Sequence, residues 1–109
     1  MCREQLGQLR PKIGELTAEG AAVLAMSRDT PAAAGRLASE LGLPFPILSD
    51  VSMEVIRAFR MEGEGMGMAD LGYVIIDKEG RIRTRQIDRH FGENVWMIVR
   101  ALRHAKTPT

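Results

Sequence analysis

The sequence specifies an α/β sandwich whose strands run in both directions, and two observations predict it. Apolar residues recur at the helical spacing of three or four in several segments, and short apolar or β-branched runs stand between them. Near the C-terminus this alternation gives way to a strand–turn–strand unit and a last amphipathic helix, so the order is α-β-α-(β)-α-β-β-α, a mixed sheet with flanking helices.

Leu6, Leu9, Ile13 and Leu16 form one stripe of a first helix. Pro11 lies inside that stripe and lacks an N–H, which predicts a kink or restart, and Gly20 closes the segment. Ala21 to Ser27, A-A-V-L-A-M-S, is a continuous apolar run that suits a buried strand. Thr30-Pro31 supplies a capping oxygen and a proline at the first helical position. The helix that follows turns Ala34, Leu37, Ala38 and Leu41 inward and stops at Gly42.

In L-P-F-P-I-L-S-D, two prolines exclude a helix and leave a short or edge strand at Phe45 to Leu48. Asp50 is positioned to cap a helix carrying Val51, Val55, Ile56 and Phe59 inward. Residues 61–71, M-E-G-E-G-M-G-M-A-D-L, are glycine-rich and aperiodic, hence a loop. Gly72 to Asp77, G-Y-V-I-I-D, is the clearest strand. Lys78-Glu79-Gly80 turns it into a returning strand, Arg81 to Asp88, with the glycine at the position needing positive φ. The last helix, from about Glu93, buries Val95, Ile98, Val99 and Leu102 and ends in Arg100, Arg103, His104 and Lys106, cations that complement its dipole.

The chain of 109 residues accommodates one domain, residues 1–105, with a polar tail at 106–109. A net charge of +1 gives no bulk attraction to nucleic acid or membrane. A single cysteine excludes an internal disulfide framework and a multi-thiolate metal site, and no run is apolar enough to span a bilayer. The expected location is the cytoplasm, with no metal and no cofactor.

That cysteine, Cys2, stands where the first helix begins. Unpaired N–H groups and the helix dipole stabilise a thiolate there, and Arg3 adds a neighbouring positive charge. From the residues alone, Cys2 is equally an exposed terminal thiol without a role and a redox thiol.

Four stretches taken in order carry a resemblance: C-R-E-Q-L-G-Q-L, V-L-A-M-S-R-D, L-G-L-P-F-P-I-L-S-D and Y-V-I-I-D-K-E-G-R-I-R. Together they resemble the redoxin branch of the peroxiredoxins, the alkyl hydroperoxide reductase and thiol-specific antioxidant group, over Cys2 to about Ile87. The resemblance implies a thioredoxin-like fold and thiol-dependent reduction of a peroxide substrate, with a thioredoxin- or glutaredoxin-like thiol reductant. It makes Cys2 the redox thiol and Arg3 its electrostatic support. Cys2-Arg3 aligns with the end of the family's C-P-x-C-R form, whose second cysteine is usually the resolving thiol, which implies that the attacking thiol and its loop lie upstream of Met1. The resemblance also implies that the central strand preceding the first helix lies upstream of Met1, so an N-terminally truncated domain is expected. Such a domain should be partly molten at low concentration, or associate as a homodimer. The family's arginine before the Gly72–Asp77 strand is replaced by Leu71. The alternative is a catalytically silent thioredoxin-like interaction module or the C-terminal part of a larger redoxin.

Three other patterns in the sequence have a functional reading and a plainer one. Met61, Met66, Met68 and His90 offer soft ligands for copper, but no paired cysteines accompany them, so packing methionines are expected. G-E-G-M-G-M neither follows a strand nor opens a helix, which removes the dinucleotide-loop reading. Arg81, Arg83 and Arg85 alternate along a strand and read as a solvated edge rather than a nucleic-acid face.

Overall fold

A computed structural model describes residues 2–63 and 71–106, with the backbone alone described at Cys2. Two compact units emerge. One comprises residues 1–22 and 71–109, the other residues 23–70.

In the first unit, α1 (Cys2–Leu9) passes into a single 3₁₀ turn (Arg10–Lys12) and then α2 (Ile13–Thr17). Pro11 sits at the start of the 3₁₀ turn, where its missing N–H is harmless, so the expected restart falls there. Leu6, Leu9 and Leu16 are buried, and Gly20 leaves the segment at φ +82°. After residue 70 the unit continues with β3 (Gly72–Ile76), β4 (Ile82–Ile87) and α5 (Val95–Ala105).

β3 and β4 pair antiparallel, Tyr73 opposite Gln86 and Ile75 opposite Thr84. The turn between them is held by Asp77, whose Oδ1 accepts the N–H groups of Glu79 (3.0 Å) and Arg81 (2.9 Å). Gly80 takes φ +83°, as the turn requires. The expected even alternation of the arginines fails here. Ile76 pairs with Ile82 while Ile75 pairs with Thr84, so Arg83 occupies a bulge. Its guanidinium leaves the solvated edge: Nη1 donates to the Ala105 carbonyl (2.8 Å) and lies 3.5 Å from Asp77 Oδ2.

α5 starts at Val95 rather than Glu93, with Asn94 preceding it. Val95 and Ile98 are buried, but Val99 and Leu102 are only half-buried. Two of its expected dipole-complementing cations find a carboxylate instead. Arg103 Nε (3.1 Å) and Lys106 Nζ (2.9 Å) both donate to Glu19, just beyond α2. These cations hold the Glu19 carboxyl below the usual carboxylate range.

In the second unit, β1 (Ala25–Ser27) and β2 (Ile47–Ser49) pair in parallel around α3 (Pro31–Leu41). Thr30 Oγ1 accepts the Ala33 N–H at 3.2 Å and Gly42 closes α3 in the left-handed conformation, both as the sequence implies. Ala34 is the buried residue of α3, and Phe45 and Ile47 are buried at β2.

Two expectations need correction in this unit. The run from Ala21 to Ser27 is not a buried strand: only Ala25–Ser27 is a strand, half-buried throughout, and Leu24 is 58% exposed. Residues 21–24 alternate between half-buried and exposed, a period that small alanines hide in an all-apolar run. Likewise α4 spans Glu54–Ala58, not a helix opening at Val51, and Val51 and Val55 are exposed. Met53, at φ +64°, breaks the backbone before α4 and shifts the inward frame to Met53, Ile56 and Met61.

Candidate functional site

Cys2 opens α1, at the end of a helix whose first N–H groups have no intrahelical acceptor. Arg3 follows it in the helix and is exposed, and Glu4 adds an acidic residue to the first turn. The two site residues inferred from the sequence are therefore consecutive residues of one helix start.

Gln5, three residues beyond Cys2, was not singled out by the sequence. It is 3% exposed, and its Oε1 accepts the Gly92 N–H at 2.8 Å. Gly92 has no room for a side chain: a Cβ there would meet the Gln5 carbonyl oxygen at 2.4 Å and Gln8 Cβ at 2.9 Å. The chain between β4 and α5 thus seats directly on the first turns of α1. The available signal was a polar residue at position 5 beside the apolar stripe of Leu6 and Leu9.

Asp88 shapes that connecting turn. Its Oδ1 accepts the His90 N–H (2.9 Å) and its Oδ2 accepts Asn94 Nδ2 (3.0 Å), while its own N–H donates to the Leu71 carbonyl (2.8 Å). Position 71, where the resemblance implies an arginine, is thereby tied through Asp88 to the turn on α1, but it presents a leucine. No cis peptide bond occurs among the described residues.

The remaining sequence candidates fall elsewhere. Met61 is a buried core residue, and Met66, Met68 and the rest of residues 64–70 lie outside the described residues. His90 Nδ1 is 3.3 Å from Glu93. Among the described residues, no group of three or more histidine, cysteine or carboxylate side chains is arranged to hold a metal ion, and no helix is long and apolar enough to cross a membrane. Asp50 is a structural cap. Its buried Oδ2 accepts the Ile56 N–H at 2.8 Å, in the first turn of α4.

Comparison with known proteins identifies the family and the fold. The AhpC/TSA family model matches residues 1–85. Alkyl hydroperoxide reductase E of Mycobacterium tuberculosis is 33% identical over 89 residues, covering 80% of this chain and 58% of that protein. A putative peroxiredoxin of the same species is 31% identical over 91 residues, covering 78% of this chain and 58% of that protein. The chain therefore spans little more than half the length of these relatives. The crystal structure of peroxidoxin BcpB from M. tuberculosis superimposes with a TM-score of 0.81 at 16% identity, over 97% of this chain and 71% of that one, which establishes the thioredoxin-like fold. With the family model spanning most of the sequence and the fold agreeing, the chain is a member of the AhpC/TSA family of peroxiredoxins.

Proposed function

We propose that this chain carries the thiol chemistry of peroxide reduction at Cys2. The observation that carries the reading is the family match beginning at residue 1 and including the cysteine at the start of α1. In this reading Cys2 is itself the attacking thiol rather than the resolving one that the motif alignment implies: its thiolate sulfur attacks one oxygen of a hydroperoxide. An S–O bond forms as the O–O bond breaks, sulfur loses two electrons, and the departing alkoxide takes a proton and leaves as the alcohol. An external thiol then attacks the sulfenic acid sulfur, releasing water and forming a mixed disulfide, which a second thiol reduces. In this reading the reducing thiols are those of a thioredoxin- or glutaredoxin-like protein. Arg3 supports the thiolate by its charge. The same reading places the protein in the cytoplasm, as one domain over residues 1–105 and as a homodimer.

The test is chemical trapping. Protein treated with one equivalent of hydroperoxide and dimedone should gain the sulfenic acid adduct at Cys2, located by peptide mass spectrometry. Cys2 left unmodified, under conditions that trap a known sulfenic acid, contradicts the assignment. One observation favours a second reading, a silent interaction module: Leu71 provides no guanidinium where the family uses one to stabilise the leaving oxygen. In that case the adduct forms no faster than on an unstructured thiol peptide.

A further inference from the structure

Between the β3–β4 sheet and α5 lies an open groove of about 660 Å³ that the redox reading does not use. Its sheet side is polar. Tyr73, Thr84 and Gln86 share one sheet face, because cross-strand partners and alternate residues point the same way. Its helix side is the stripe Met97, Arg100 and His104, spaced to lie along one face of α5.

The groove is also polarised along its length. Arg83 reaches the His104 and Ala105 carbonyls from β4, so Thr84, the next residue of the strand, lies toward the His104 end, and the cross-strand pair Tyr73 and Gln86 lines the groove together with Met97. Arg103, at the rim, has its charge matched by Glu19. The Arg100 side chain has neither an ion pair nor a hydrogen bond among the described residues. Burial, with the charge of Asp88, pushes the Tyr73 phenol above its ordinary pKa, so it remains a neutral donor at physiological pH.

We propose that this groove binds a small organic monocarboxylate, the carboxylate on Arg100 and the apolar body along Met97 toward Tyr73. The volume falls in the usual range for small-molecule sites. A guanidinium recognises a carboxylate through paired charge-assisted donors, while the Tyr73 ring and Met97 thioether offer apolar contact.

Trp96 makes the test direct. It is the chain's single tryptophan, 61% exposed, and stands four residues before Arg100 on α5. The 109-residue chain is titrated with octanoate, with octan-1-ol and with inorganic phosphate while tryptophan emission is followed. Octanoate should give a saturable change and bind about tenfold or more tightly than either control. Arg100→Gln should weaken octanoate about tenfold and leave octan-1-ol unchanged, with an unaltered circular dichroism spectrum. Equal binding of octanoate and octan-1-ol, equal binding of phosphate, an Arg100→Gln variant that binds octanoate like the parent, or no saturable octanoate response would each overturn the proposal. Cys2→Ser should bind octanoate normally, so failure of the redox reading leaves this result intact.

Discussion

Arg83 caps α5 from the neighbouring strand: its Nη1 donates to the Ala105 carbonyl at 2.8 Å across 22 residues of sequence. The bulge at Ile75/Ile76 is what turns Arg83 out of the strand's alternation and toward the helix end. A helix ends with carbonyls that have no intrahelical donor, and a partly buried guanidinium satisfies them while opposing the negative end of the dipole. Arg83→Met should keep the aliphatic packing but lower stability by about 1–3 kcal/mol, the range for hydrogen bonds to charged groups. Arg83→Lys should recover only part of this, because one ammonium cannot reproduce the fork between Asp77 and the helix end. Urea denaturation of the three proteins measures both differences.

The hairpin carries its own pH dependence. The Arg81 N–H, then the Glu79 N–H and the Arg83 guanidinium, hold the Asp77 carboxyl below its ordinary value of 3.8. A carboxyl depressed by folding contributes stability above its unfolded pKa, and that contribution disappears as the pH falls through the folded pKa. Melting temperature should therefore drop as the pH falls below about 4, with a shallower drop in Asp77→Asn. Parallel acid titrations of the two proteins, followed by circular dichroism, test this.

The contact between Gln5 and Gly92 is equally sharp. Gly92→Ala should destabilise by about 1–3 kcal/mol, because the new Cβ would meet backbone at 2.4 Å and the turn must lift from α1. Gln5→Leu should cost a similar amount, by leaving a buried N–H without an acceptor. Combining the two changes should cost less than their sum, since both release the same contact. A double-mutant cycle from chemical denaturation reads the coupling.

Asp50→Ala should destabilise by about 1 kcal/mol through loss of the acceptor for the Ile56 N–H, while Asp50→Asn should retain much of it. Hydrogen exchange at Ile56 reports the effect at the bond itself.

These four contacts show which features the sequence made legible. Thr30, Pro31 and Gly42 act within a few residues of themselves, so the ends of α3 follow from local chemistry, as do the turn at Gly80 and the restart at Pro11. The order of elements follows for the same reason, and the family and its fold agree with the resemblance that the ordered motifs carry. Gln5 meets Gly92 across 87 residues, and Arg83 meets Ala105 only because of a bulge, so neither contact leaves a local signature. The frame of α4 went astray because Met53, an ordinary residue in a left-handed conformation, resets it. At the candidate site, the sequence located Cys2 and Arg3 at a helix start but not Gln5, the buried side chain that anchors that helix.

The most direct test of the central claim is peroxide consumption by the 109-residue chain and its Cys2→Ser variant, with dithiothreitol as reductant and the reductant's own background subtracted. The redox account expects turnover by the parent chain that is abolished in Cys2→Ser, with both proteins giving the same circular dichroism spectrum. Equal rates for the two would contradict it and leave the scaffold reading.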